Sequence, residues 1–197
     1  MKIRLGVLIS GRGSNLEALI RACHKPYFPA EIVVVISDKE DAPGLKLAEA
    51  AGIPTVIVEH PSRCGFAIGA GWPLVRYKVD LIVLAGFMRI LHQGFVMRWE
   101  KRIVNIHPSI LPAFTGLHPQ RKALEAHRLT SGCTVHWVVP EVDAGPIIAQ
   151  SVVDTKPDDT EDELSARILQ AEHQLYPMAI NMIANQMLKT MATKNTS

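Results

Sequence analysis

"IRLGVLISGRGSNLEALIRAC", residues 3–23, decides the fold. Its first seven residues are mostly apolar and branched, the composition of a strand buried on both faces. Gly11 and Gly13 then break the run, and over residues 15–23 Leu16, Leu19 and Ile20 recur on one side of a helix. A buried strand, a glycine turn and a helix in immediate succession are the start of a parallel sheet with helices packed against it.

Working outward, the same alternation continues. Residues 32–36, 55–58, 81–85 (LIVLA) and 103–106 read as further strands, and residues 44–51 as a helix. Crossover handedness makes such a chain an open, doubly wound sheet. The last third differs. Residues 133–139 (CTVHWVV) and 147–153 (IIAQSVV) are strands joined only by the loop PEVDAG, which predicts a hairpin and a mixed sheet. A long helix is predicted from about Thr160, with Thr160 and Glu163 as a capping box. The expectation is one α/β domain over residues 1–197, Rossmann-like and mostly parallel, with a frayed tail over 190–197. One stretch resists this scheme. Residues 64–77 should form a crossover helix, yet they hold Gly65, Gly69, Gly71 and Pro73, which predicts a broken or mobile one.

A chain of 197 residues suits one domain and can bury roughly 70% of its unfolded surface. Apolar residues make up 48% and charged residues 20%, as in ordinary globular proteins. A formal net charge of +2, evenly spread, argues for neither a nucleic-acid nor a membrane partner. Cys23, Cys64 and Cys133 are widely spaced and form no CxxC pair, which suits a reducing cytoplasm rather than a disulfide framework or a cysteine–zinc site. The opening residues read as a first strand, not as a signal peptide or membrane span.

Three motifs lie just past strand ends, the edge where open α/β sheets bind ligands. In SGRGSN (10–15), backbone N–H groups at a helix N-terminus suit an anion, and Ser14 and Asn15 can cap the helix or bond a phosphate. The third glycine of a dinucleotide fingerprint would fall on Leu16, and there is no Walker lysine, so a single phosphate fits better than a dinucleotide. GFMRIL (86–91) is either core or the wall of a pocket for a flat ligand. In NIHPS (105–109), Asn105 and His107 share a strand face and Pro108 ends the strand. On its own this is either a self-capping strand end or an amide and imidazole presented together. Asp143 sits in a Gly/Pro loop, where acids usually form turns, unless a mixed sheet carries it beside His107. His136 reads as a satisfied sheet histidine, and with no HExxH or comparable pairing no metal site is expected.

In their order and spacing, LISGRGSN, LAGFMRIL, NIHPSILPAFTGLH, GCTVHWV, EVDAGPII and AEHQLYP resemble the phosphoribosylglycinamide formyltransferases, folate-dependent enzymes of purine biosynthesis, over nearly the whole chain. The resemblance implies the formyltransferase fold and transfer of a formyl group from 10-formyltetrahydrofolate to the glycine amine of phosphoribosyl-glycinamide. It implies that Gly13, Ser14 and Asn15 bind the phosphate and that Leu169, Gln170, Ala171 and Glu172 meet the glycinamide substrate. Folate would be held by Arg63, Met88, Arg89, Ile90, Leu91, Asn105, Val139, Pro140, Glu141, Val142 and Asp143, and Asn105, His107 and Asp143 would be the catalytic trio. A homodimer is compatible with it. The chain departs from the family pattern over residues 64–77, and it stops near Ser197, where many relatives continue with a further strand.

The chemistry agrees. An amine attacking a formyl carbon drives negative charge onto oxygen, which a fixed amide donor stabilises. An imidazolium adds a second donor, and an adjacent carboxylate favours that charged ring. Formyltetrahydrofolate deformylase and methionyl-tRNA formyltransferase are runner-up relatives. A non-catalytic nucleotide-binding module is the reading from a different class.

Overall fold

The computed structural model describes residues 1–194. Strands β1 (Ile3–Ile9), β2 (Ala30–Ser37), β3 (Thr55–Ile57), β4 (Leu81–Leu84), β5 (Ile103–His107), β6 (Thr130–Trp137) and β7 (Ile147–Asp154) form one sheet in the order β3-β2-β1-β4-β5-β6-β7. The first five are parallel, while β6 runs antiparallel to β5 and β7 antiparallel to β6. The expected mixed, doubly wound architecture is therefore present, and the direction of winding reverses between β1 and β4. Such a switch point opens a crevice at the strands' C-terminal ends.

The helices are α1 (Ser14–Cys23), α2 (Gly44–Ala50), α3 (Arg63–Arg76), α4 (Gln93–Arg98), α5 (Pro119–Glu125) and α6 (Glu161–Lys194). Leu16, Leu19, Leu45, Ala123, Ile168 and Tyr176, from α1, α2, α5 and α6, pack on one sheet face. Phe66, Ala70, Leu74, Phe95 and Trp99, in and beside α3 and α4, pack on the other. Tyr176 is fully buried, and its hydroxyl donates towards the carbonyls of Leu84 (2.8 Å) and Val104 (3.2 Å), which fastens α6 across β4 and β5. The capping box at the start of α6 forms as expected. The Glu163 N–H donates to Thr160 Oγ1 (3.2 Å), and the Thr160 N–H donates to Glu163 Oε2 (2.9 Å).

Two expectations need correction. Residues 64–77 do not form a broken helix, because α3 runs unbroken over 14 residues. Ser62 caps it by accepting the Gly65 N–H at 3.1 Å. Phe66, Ala70, Pro73 and Leu74 recur at helical spacing and bury one face. The glycines aid close approach: a Cβ at Gly69 would sit 2.5 Å from Val58 Cγ1, and one at Gly65 would collide with the His60 ring. Pro73 removes a single backbone bond, while the Tyr77 N–H still reaches the Pro73 carbonyl at 2.8 Å. Packing thus outweighs intrinsic propensity. Gly71 differs, since a Cβ there meets nothing within 4 Å. Gly71→Ala should therefore stabilise the protein by roughly 0.5–1 kcal/mol, read as a rise in the denaturation midpoint, because helix interiors favour Ala over Gly by that amount. The second correction concerns the tail: residues 190–194 are helical rather than frayed, and 195–197 lie outside the described residues. The short helices α4 and α5 have no counterpart in the reading from sequence.

Candidate active site

Along β5, Val104 and Ile106 pack into the core on the α6 side of the sheet, while Ile103 packs on the α3 side. Alternation puts Asn105 and His107 on the Ile103 side, at the strand's C-terminal end. There they line a cleft of about 480 Å³, a volume within the usual range for small-molecule sites. Met88, Arg89, Ile90 and Leu91 from the loop after β4 also line it, as do Val139, Pro140, Glu141, Val142 and Asp143 from the β6–β7 loop. Gly116 to Gln120 and His136, none of them expected at the site, are also part of the wall.

The β6–β7 loop folds back so that Asp143 reaches β5. Its Oδ2 accepts the Gly116 N–H at 2.8 Å and lies 3.4 Å from His107 Nδ1. Both side chains are nearly buried, at 7% exposure for His107 and 9% for Asp143. Asp143 has φ 54°, the left-handed region that Asp and Asn enter more readily than most side chains. The other nitrogen of His107, Nε2, lies 3.0 Å from the Phe114 carbonyl oxygen. Both ring nitrogens therefore face acceptors, an arrangement that suits a doubly protonated imidazole. Asn105 Nδ2 lies 3.3 Å from His136 Nε2.

Beside this cleft stands the glycine loop. Gly13 has φ 78° at the start of α1, and a Cβ there would come within 2.7 Å of the Gly44 Cα, so the position is closed to any side chain. The loop is tied to the cleft wall by the Met88 N–H, which donates to Ser10 Oγ at 2.9 Å. Asn15, buried just inside α1, donates from Nδ2 to Glu172 Oε2 on α6 at 2.7 Å, while its Oδ1 has no partner. Glu172 thus joins the loop, and its neighbours Leu169, Gln170 and Ala171 share its helix. Arg63 does not reach the cleft: it is exposed at the first turn of α3. It is Arg89 whose guanidinium engages the segment before α3, donating to the carbonyls of His60 (2.7 Å) and Pro61 (3.1 Å).

Burial pushes the Glu172 carboxyl up to about 7, with the Asn15 amide pulling the other way. The folded protein therefore holds this proton more tightly than the unfolded chain. Its stabilising effect is complete below the ordinary value of 4.5, declines as pH rises towards about 7, and is absent above that. Glu172→Gln should flatten this decline, which amounts to roughly 3 kcal/mol across the window. Denaturation midpoints of the two proteins at pH 5 and pH 8 test it, and parallel curves would refute it.

Among the described residues no group of three or more His, Cys, Asp or Glu could hold a metal ion, and no helix is long and apolar enough to cross a membrane.

The chain is similar to several proteins of known kind. It is 42% identical to the phosphoribosylglycinamide formyltransferase of Escherichia coli (strain K12) over 186 residues, covering 93% of this chain and 88% of that protein. It is 49% identical to the trifunctional purine biosynthetic protein adenosine-3 of Gallus gallus, of which it spans only 19%. The crystal structure of glycinamide ribonucleotide transformylase 1 from Symbiobacterium toebii superposes with a TM-score of 0.91 at 45% identity, covering 94% of this chain and 89% of that one. With a match to the formyl transferase family running over residues 3–180, the chain belongs to that family.

Proposed function

We propose that this protein transfers a formyl group from 10-formyltetrahydrofolate to the glycine amine of 5-phosphoribosyl-glycinamide, giving formylglycinamide ribonucleotide and tetrahydrofolate in de novo purine biosynthesis. The observation that carries this reading is the convergence of Asn105, His107 and Asp143 on one cleft, beside a glycine loop at a helix N-terminus.

The amine nitrogen attacks the formyl carbon, and the carbonyl electron pair moves to oxygen. Asn105 donates a hydrogen bond to that oxygen as its charge grows. The His107 ring, charged beside the Asp143 carboxylate, supplies positive charge next to it, and that carboxylate accepts, through water, the proton that the attacking amine gives up. The carbon–nitrogen bond to the folate then breaks, and the departing nitrogen takes that proton, which restores the carboxylate. Met88, Arg89, Ile90, Leu91, Val139, Pro140, Glu141 and Val142 hold the folate, without Arg63, which lies outside the cleft lining. Gly13, Ser14 and Asn15 hold the phosphate through backbone N–H groups and the Ser14 hydroxyl, and Leu169, Gln170, Ala171 and Glu172 meet the rest of the acceptor. Both partners are small molecules. The reaction needs no nucleic acid and no membrane, and it belongs in the cytoplasm.

The test is a formyl-transfer assay with both substrates. Deformylated folate and formylglycinamide ribonucleotide should appear in equal amounts. Formate released without acceptor would point to a deformylase, and formylation of methionyl-tRNA to that enzyme's activity. Binding of both ligands without turnover would mark a non-catalytic module.

A further inference from the structure

His136 lies mid-strand in β6 and is 2% exposed. The β5–β6 register sets it directly opposite Asn105, and the β6–β7 pairing shifts register between Val135 and His136. Bulges of this kind re-aim side chains beside active sites. Its Nδ1 lies 3.0 Å from the Trp137 carbonyl oxygen. A carbonyl can only accept, so Nδ1 carries the hydrogen. In a neutral ring the remaining nitrogen, Nε2, then bears a lone pair. That lone pair faces the Asn105 amide at 3.3 Å, so the amide must present its nitrogen there rather than its oxygen.

From this geometry we propose that His136 is a positioning residue: its Nδ1–H tautomer, fixed by the Trp137 carbonyl, orients the Asn105 amide so that the second Nδ2 hydrogen points into the cleft. This deepens the formyl-transfer reading and rests on Asn105 being the oxyanion donor. An asparagine free to flip would spend part of its time presenting an oxygen to the developing oxyanion, which repels it. A protonated His136 would set a hydrogen on Nε2 against the amide's own hydrogens, with the nearest carboxylate oxygen, Asp143 Oδ1, 3.8 Å away. Burial acts against that protonation and lowers the ring's pKa. The Trp137 carbonyl and the Asp143 carboxylate pull upward, and His107 adds to the lowering. Trp137 is itself held closely: its carbonyl contacts Gly145 so tightly that a Cβ there would collide with it.

The two amide replacements separate the functions of the ring. His136→Asn keeps a donor for the Trp137 carbonyl but has nothing at the Nε2 position, whereas His136→Gln reaches that position with an acceptor. His136→Asn should lose roughly 10- to 100-fold in kcat, the scale of a misplaced reacting group, with both KM values nearly unchanged. His136→Gln should recover most of that loss. In the double variant Asn105→Ala/His136→Asn, turnover should be no lower than in Asn105→Ala, because the effect passes through that amide. Nitrogen-15 NMR of the parent protein should show His136 as the Nδ1–H tautomer at neutral pH. An Nε2–H tautomer, equal losses in the Asn and Gln variants, or a further loss in the double variant would overturn the inference. If Asn105→Ala itself kept its turnover, it would be the reading of Asn105 that failed, and the tautomer would stand as a structural fact alone.

Discussion

Asn105→Ala is expected to lower turnover on the order of a hundredfold or more, the usual scale for removing one oxyanion donor. The side chain is half-buried in the cleft wall, and its backbone pairs with β4 at Leu84 and with β6 at His136. Those ladders survive truncation to alanine, so the fold should too. The lost bond strengthens only as charge gathers on the formyl oxygen. The deficit should therefore fall on kcat, leaving KM for both substrates nearly as it was. Steady-state kinetics with each substrate varied in turn, together with a melting curve, check this. Turnover within a few-fold of the parent would show that another donor meets the oxygen.

Asp143→Asn should be comparably severe, roughly 10²–10⁴-fold in turnover, the range assigned to positioned proton-transfer groups. The substitution is nearly isosteric. An asparagine carbonyl can still accept the Gly116 N–H that Oδ2 now accepts at 2.8 Å, and asparagine tolerates the left-handed backbone at φ 54°. What disappears is the negative charge 3.4 Å from His107 Nδ1. Asp143→Ala additionally loses the Gly116 bond and the side chain suited to that backbone, so it should also melt earlier. Similar turnover in the two variants with a lower melting temperature only in the alanine form would assign the catalytic loss to the charge. Full activity in Asp143→Asn would reduce Asp143 to a turn residue.

The strands were legible because a parallel sheet covered on both faces demands continuous apolar runs, and these are visible in LGVLI and LIVL. The spacing of Asn105 and His107 was legible for the same local reason. The α3 helix was not, because its glycines and proline were judged by intrinsic preference. Its stability comes from contacts with Val58, His60 and the sheet, which no local pattern displays. Helices α4 and α5, of six and seven residues, are too short to establish a period. His136 is the satisfied sheet histidine expected, buried with partners at both ring nitrogens. A histidine in an apolar strand is usually satisfied core, and only the β5–β6 register reveals that it faces Asn105. A hairpin with fixed turn geometry could have hinted at register, but β5 and β6 are separated by α5 and a long loop. The Asp143–His107 contact likewise depends on how a loop folds back, which sequence spacing leaves open.

The hydrogen bond between Asn15 and Glu172 joins residues 157 positions apart. On a ribosome adding about 5–20 residues per second, the glycine loop emerges roughly 8–30 s before its partner is made. Sheet strands β1 to β5 can associate in that interval, but the polar pocket at the head of α1 has no floor until α6 arrives. Its closing contact is among the most distant in the chain, and contacts of that span carry a large loop-closure entropy. A chain halted before α6 would expose a buried amide, a sheet face prepared for Tyr176 and an anion loop without its wall. On the proposed reading, the ability to hold the acceptor would therefore be acquired only once α6 has docked.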